Sequence, residues 1–87
     1  MRHQTLQGES FDLEEDFSSP ERHILQKLFI WLEMAASIEE FRQQKEKALL
    51  RGWNNSGPIR ESPALQRLIR DLEERVALRL QGLHDHA

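Results

Sequence analysis

Histidines, serines, carboxylates and arginines are the groups in this 87-residue chain whose chemistry could be put to use. A metal centre is the first possibility, and ligand spacing argues against it. His84 and His86 sit beside Asp85 at the chain end without further support, His3 falls in a stretch read as disordered, and His23 opens a helix. Nucleophilic catalysis is the second. Ser10, Ser18, Ser19, Ser37 and Ser62 all occupy tail or helix-cap positions, where hydroxyls satisfy backbone amides. The carboxylates lie on polar faces, where charge is normally solvated. Gly52 and Gly57 are isolated turn residues, so no phosphate-binding loop is present. Arg67, Arg70, Arg75 and Arg79 share one helix with Asp71, Glu73 and Glu74, which cancel much of their field. Asp71 and Arg75 read as an ordinary surface pair four residues apart. No catalytic residue, metal site or cofactor is therefore expected, and no nucleic acid.

Composition excludes further classes. There is no cysteine, which removes disulfide scaffolds and thiol chemistry. No apolar run approaches a membrane span and no signal-like apolar region opens the chain, so a cytoplasmic protein without membrane contact is expected. The net charge is −3, with −4 in residues 1–18 and +1 in residues 19–87.

The elements that must position these groups are helical. Strong helix formers supply 51 of the 87 residues, against 13 of the β-favouring types. No run alternates apolar and polar residues long enough to suggest a sheet, and the fold class is all-α. Residues 1–18 read as an acidic flexible tail. Within it, Phe11 to Phe17 mixes acidic and bulky apolar residues, as in a partner-binding linear motif or a tail whose Phe17 staples the first helix.

Ser18-x-x-Glu21 is a capping box that starts the first helix, with Pro20 in its first turn. Ile24, Leu28, Trp31, Ala35 and Ile38 then form a stripe, and Ile30 and Met34 extend the apolar surface around the cylinder. No Gly or Pro interrupts residues 21–51, which favours one helix over 19–51. A second capping box, Ser37-x-x-Glu40, offers a break near Ser37 instead. Gly52 ends the helical run, a loop covers 52–61, and Ser62-Pro63 starts a last helix over about 62–82 with a stripe of Leu65, Ile69, Leu72, Val76, Leu80 and Leu83. Residues 84–87 are a tail. The expected architecture is a single domain, an antiparallel helical hairpin over 19–83, or three helices if Ser37 breaks the first.

Ile38-Glu39-Glu40-Phe41-Arg42, Gly52-Trp53 and Ile59 to Ile69 together resemble the small sporulation aspartyl-phosphate phosphatases. The resemblance covers residues 38–72. It implies a helical hairpin that docks on a response-regulator receiver domain and promotes loss of its aspartyl phosphate. Ser62, Leu65, Leu68 and Ile69 match the family's second-helix motif; Pro63 and Ala64 depart from it, and Gln66 stands where the family has Asp. An amide cannot serve as a carboxylate base, so binding is implied more than hydrolysis.

The sequence thus points to a small regulatory or adaptor protein that binds a protein partner, a response regulator among the candidates. A co-chaperone or subunit of a larger assembly such as a secretion system is the alternative, and aspartyl-phosphate phosphatase the second alternative. Ile24, Leu28, Trp31 and Ala35 are the expected contact face for a partner or for a second copy in a homo-oligomer, because the apolar surface is wider than one hairpin covers. Ser62 and Gln66 join them through the resemblance. Trp53 is either a partner anchor or folded back near Leu49 and Leu65.

Overall fold

A computed structural model describes residues 2–52 and 57–85, the side chains of 83–85 excepted. Three helices dominate it: α1 (Ser19–Met34), α2 (Ile38–Arg51) and α3 (Pro63–Asp85). Before them lie two short strands, β1 (Arg2–Gln4) and β2 (Ser10–Asp12), paired antiparallel with His3 opposite Phe11. None of the described helices is long and apolar enough to cross a membrane.

The capping signals set the helix starts. Ser18 accepts the Glu21 amide while the Glu21 carboxylate accepts the Ser18 amide, which completes the first box. The hydroxyl of Ser37 accepts the Glu40 amide at 3.1 Å, and the Glu40 carboxylate accepts the Ala36 amide at 3.0 Å. These bonds stabilise an interruption, so the single helix expected over 19–51 is two helices, and the three-helix alternative holds. Arg79 reinforces the break. Its guanidinium donates to the carbonyls of Leu32 and Ala35, groups that a helix end leaves without intrahelical partners. Gly52 closes α2 at φ 65°, a conformation that suits glycine. The last helix begins where Ser62 accepts the Leu65 amide, and it extends to Asp85 rather than stopping near 82.

These caps also fix the packing directions. Glu21 and Ser62 meet at the starts of α1 and α3, and Arg79 meets the end of α1, so those two helices run parallel. The second helix runs back between them, with Lys45 on Glu73 at 3.2 Å. Phe41, Ile24, Leu28, Leu65, Leu68, Leu72 and Val76 are the largest fully buried side chains, and they form one core shared by all three helices.

Residues 1–18 are not a flexible tail where the structure describes them. A Thr5–Glu9 turn joins the strands, with Gly8 at φ 92°, and Phe11 and Phe17 pack into the core with ring centroids 5.9 Å apart. The alternation rule missed these strands because each is only three residues long. Their stability comes from α3, not from their own pattern.

Core truncation and surface truncation should therefore differ sharply on the same fold. Leu72→Ala is expected to cost about 3 kcal/mol in urea unfolding, and Ile30→Ala less than about 0.5 kcal/mol.

Candidate functional site

The expected contact face divides once the helices pack. Ile24, Leu28 and Ala35 are buried within the protein's own core and offer no surface to a partner. A helical wheel shows that they share a face, and α2 and α3 together cover it. Trp31 is half-buried at the edge of that face, and Ile30 and Met34 are 57% and 63% exposed. Lys27, Ile30, Trp31 and Met34 stand at i, i+3, i+4 and i+7, which makes them one contiguous strip of α1.

This strip borders a shallow groove of about 100 Å³ between α1 and α2, lined by Lys27, Trp31, Gln44, Lys47, Ala48 and Arg51. The four α2 residues again fall at i, i+3, i+4 and i+7. Ala48 is the buried floor, and its small side chain leaves the indole edge room beside α2. Lys27, Lys47 and Arg51 are exposed cations that form no ion pair among the described residues. The signal for this site was available in sequence as two matched spacings, but only packing shows that they face one another.

Ser62 and Gln66 lie elsewhere, at an open hollow where α1 and α3 begin, with Ser18, Pro20, Glu21, Ile59 and Arg60 around them. Ser62 donates its hydroxyl to Glu21 at 2.8 Å, so it caps α3 and ties it to α1. Gln66 is exposed at the rim. Burial by itself would raise the Glu21 pKa, but donors from Ser18 and Ser62 outweigh it and hold the carboxyl below its ordinary 4.5. Trp53 lies outside the described residues, and so does His86.

A second polar centre was not foreseen. Asp71, expected on the surface, has a side chain only 4% exposed. It accepts from His3 Nε2 at 2.8 Å, the Leu6 amide at 2.8 Å and Arg75 Nε at 2.9 Å. The pairing with Arg75 is present, but as part of a buried hub. Burial would raise the Asp71 pKa, yet the bonds from His3, Leu6 and Arg75, with the Arg75 charge, hold it below 3.8. Arg75 also donates to the Gln4 carbonyl, and Arg67 stands over the Phe11 ring and within 3.5 Å of Glu9. His3 additionally meets Phe29 edge to face. This is a docking arrangement for the hairpin. Among the described residues, no group of three or more His, Asp or Glu side chains is placed to hold a metal ion.

Comparison with known proteins gives no neighbour: no family model, curated protein or solved structure matches the chain.

A carboxyl with a depressed folded pKa contributes stability above its unfolded value, and that contribution fades as pH falls toward the folded value. Unfolding free energy should therefore decline once pH drops below about 4. Asp71→Asn should lose on the order of 2–3 kcal/mol at pH 7 and decline less on acidification, as read from urea midpoints across pH.

Proposed function

We propose that this chain is a small helical regulator or adaptor that works by binding another protein through the outward face of α1. The observation that carries this reading is the exposure of Ile30 and Met34 one turn apart, beside a half-buried indole. Aromatic and methionine side chains of this kind are enriched where protein surfaces meet. A regulator or adaptor fits better than a permanent subunit. Obligate interfaces resemble a core cut in half, whereas this chain closes its own core and leaves a narrow apolar strip on α1, with Leu6, Leu50 and Leu78 exposed singly elsewhere.

A photo-crosslinking residue at position 30 or 34, introduced in cells of the source organism, should yield a discrete adduct. The same residue at Glu46, exposed on α2, should not. Equal labelling from all three positions would remove the reading, and an adduct with a second copy would identify the partner as the chain itself.

A receiver domain as partner is a second reading. It is supported by the fall of residues 38–72 on the antiparallel α2–α3 pair, with Gln66 exposed near the capping Ser62. Since an amide accepts no proton at neutral pH, the protein should bind a phosphorylated receiver without shortening its phosphate lifetime. Gln66→Asp should leave stability within about 0.5 kcal/mol, because the position is exposed. Decay of a labelled phospho-receiver with wild type, with Gln66→Asp and with no addition tests this; accelerated decay by wild type would overturn the non-enzymatic reading.

A further inference from the structure

We propose that the groove between α1 and α2 docks an acidic amphipathic helix of a partner protein. Its apolar residues would lie on Ile30, Trp31 and Met34, and its carboxylates would face Lys27, Lys47 and Arg51. The inference rests on the protein-binding reading above and adds the partner's chemistry to it.

Charge is what selects the occupant. Three cations flank the groove without ion pairs among the described residues, in a chain whose overall charge is −3. Four cations elsewhere do meet carboxylates, Arg42 and Lys45 on Glu73, Arg67 on Glu9 and Arg75 on Asp71, whereas what marks the groove is three cations around one hollow with no carboxylate in its lining. Lys47 and Arg51 are moreover four residues apart on one helix, a like-charge spacing that weakens an isolated helix. Placement near the C-terminus of α2 offsets part of that cost for Arg51. The carboxylates nearest in sequence are directed or committed elsewhere. Glu40 is bonded to the Ala36 amide, and Glu46 adjoins Lys47 at a spacing that turns it off the groove. Glu33, exposed on α1, lies on the far side of Ile30 from Lys27, so a partner carboxylate at the groove would meet the three cations and not that anion.

The apolar strip makes protein a better fit than nucleic acid. Ile30 and Met34 give a phosphate backbone nothing to bind, and, four residues apart on one face, they offer an apolar seat to the anchors of a docked helix. Trp31 supplies an aromatic wall between the two chemistries. The long stems of Lys27 and Arg51 can pack along such a helix while their charged ends stay at the rim.

The test uses two designed helical peptides with the same leucine stripe, one flanked by glutamates and the other by lysines, and a single-stranded oligonucleotide. The full chain should bind the acidic peptide at least about tenfold more tightly than the basic one, with affinity falling as salt rises. Lys47→Glu with Arg51→Glu should weaken the acidic peptide by about tenfold or more and leave helicity unchanged by circular dichroism. Lys47→Gln with Arg51→Gln should fall between, which separates lost attraction from introduced repulsion. Equal affinity for the two peptides, or no binding of the acidic one at millimolar concentration, would overturn the inference. Tighter binding of the oligonucleotide at equal salt would also overturn it, and so would a dimer in sedimentation that the charge reversals dissociate. None of these outcomes decides the crosslinking result at positions 30 and 34, so the partner's chemistry and the existence of a partner stand or fall separately.

Discussion

A carboxylate removed from water must be met by donors, and Asp71 organises the N-terminal sixth of the chain around that requirement. An unpaired charge at this depth would cost several kcal/mol, and the three donors that offset it come from β1, the β1–β2 loop and α3 itself. Because two of the three belong to the hairpin, undocking the strands gives up two hydrogen bonds to a carboxylate. The hairpin in turn delivers Phe11 and, through the Asp12–Asp16 turn, Phe17 to the core. Neither three-residue strand would persist alone. Arg67 and Arg75 extend the anchoring one helical turn either way along α3. One polar position thus converts an acidic segment into part of the domain.

The same demand for partners explains the break between α1 and α2. Ending a helix frees carbonyls, and Arg79, forty-odd residues away in sequence, supplies the donors. Its counterpart at the other end is Glu21, which closes its own capping box and also accepts the Ser62 hydroxyl. The two parallel helices are therefore clamped at both ends by side chains that serve as caps. The apolar stripes between the clamps determine how tightly the helices pack, while the clamps set their register.

How much of this was legible depended on the range of the interaction. The capping box at Ser18, the stop at Gly52 and the start at Ser62 are local devices, and each appears where the residues suggest it; at Ser37 the hydroxyl caps as expected, but Glu40 returns to the Ala36 amide and not to that of Ser37. The choice between one long helix and two stayed open because its arbiter, Arg79, is distant in sequence. The hairpin was missed for the same reason: His3 and Asp71 are 68 residues apart, and a buried aspartate beside Arg75 looks identical in sequence to a surface pair. On α1 the periodicity identified the apolar face but not the number of neighbours. α2 and α3 cover Ile24, Leu28 and Ala35, and the exposed surplus on α1 is Ile30 and Met34. The candidate groove needed Lys27 and Trp31 to be set against Lys47 and Arg51 across a break that sequence alone did not fix.

The charge arrangement follows from these placements. Asp12 caps its own turn by accepting the Glu14 and Glu15 amides, which holds its carboxyl below the ordinary range and folds the acidic run upon itself. Arg22 reaches that run through the Glu14 carbonyl, from a flank of α1 that is not the flank carrying Lys27 and Trp31. Acidic and basic regions consequently sit on different sides of the first helix, with Ile30 and Met34 between them. On the proposed binding reading, such an arrangement would orient a charged partner before contact, and the apolar strip would contribute once water is displaced. On that same reading, a strip this narrow suits a transient partner better than a permanent one, since obligate interfaces resemble a core cut in half. Those properties suit an association that forms quickly, responds to salt and releases.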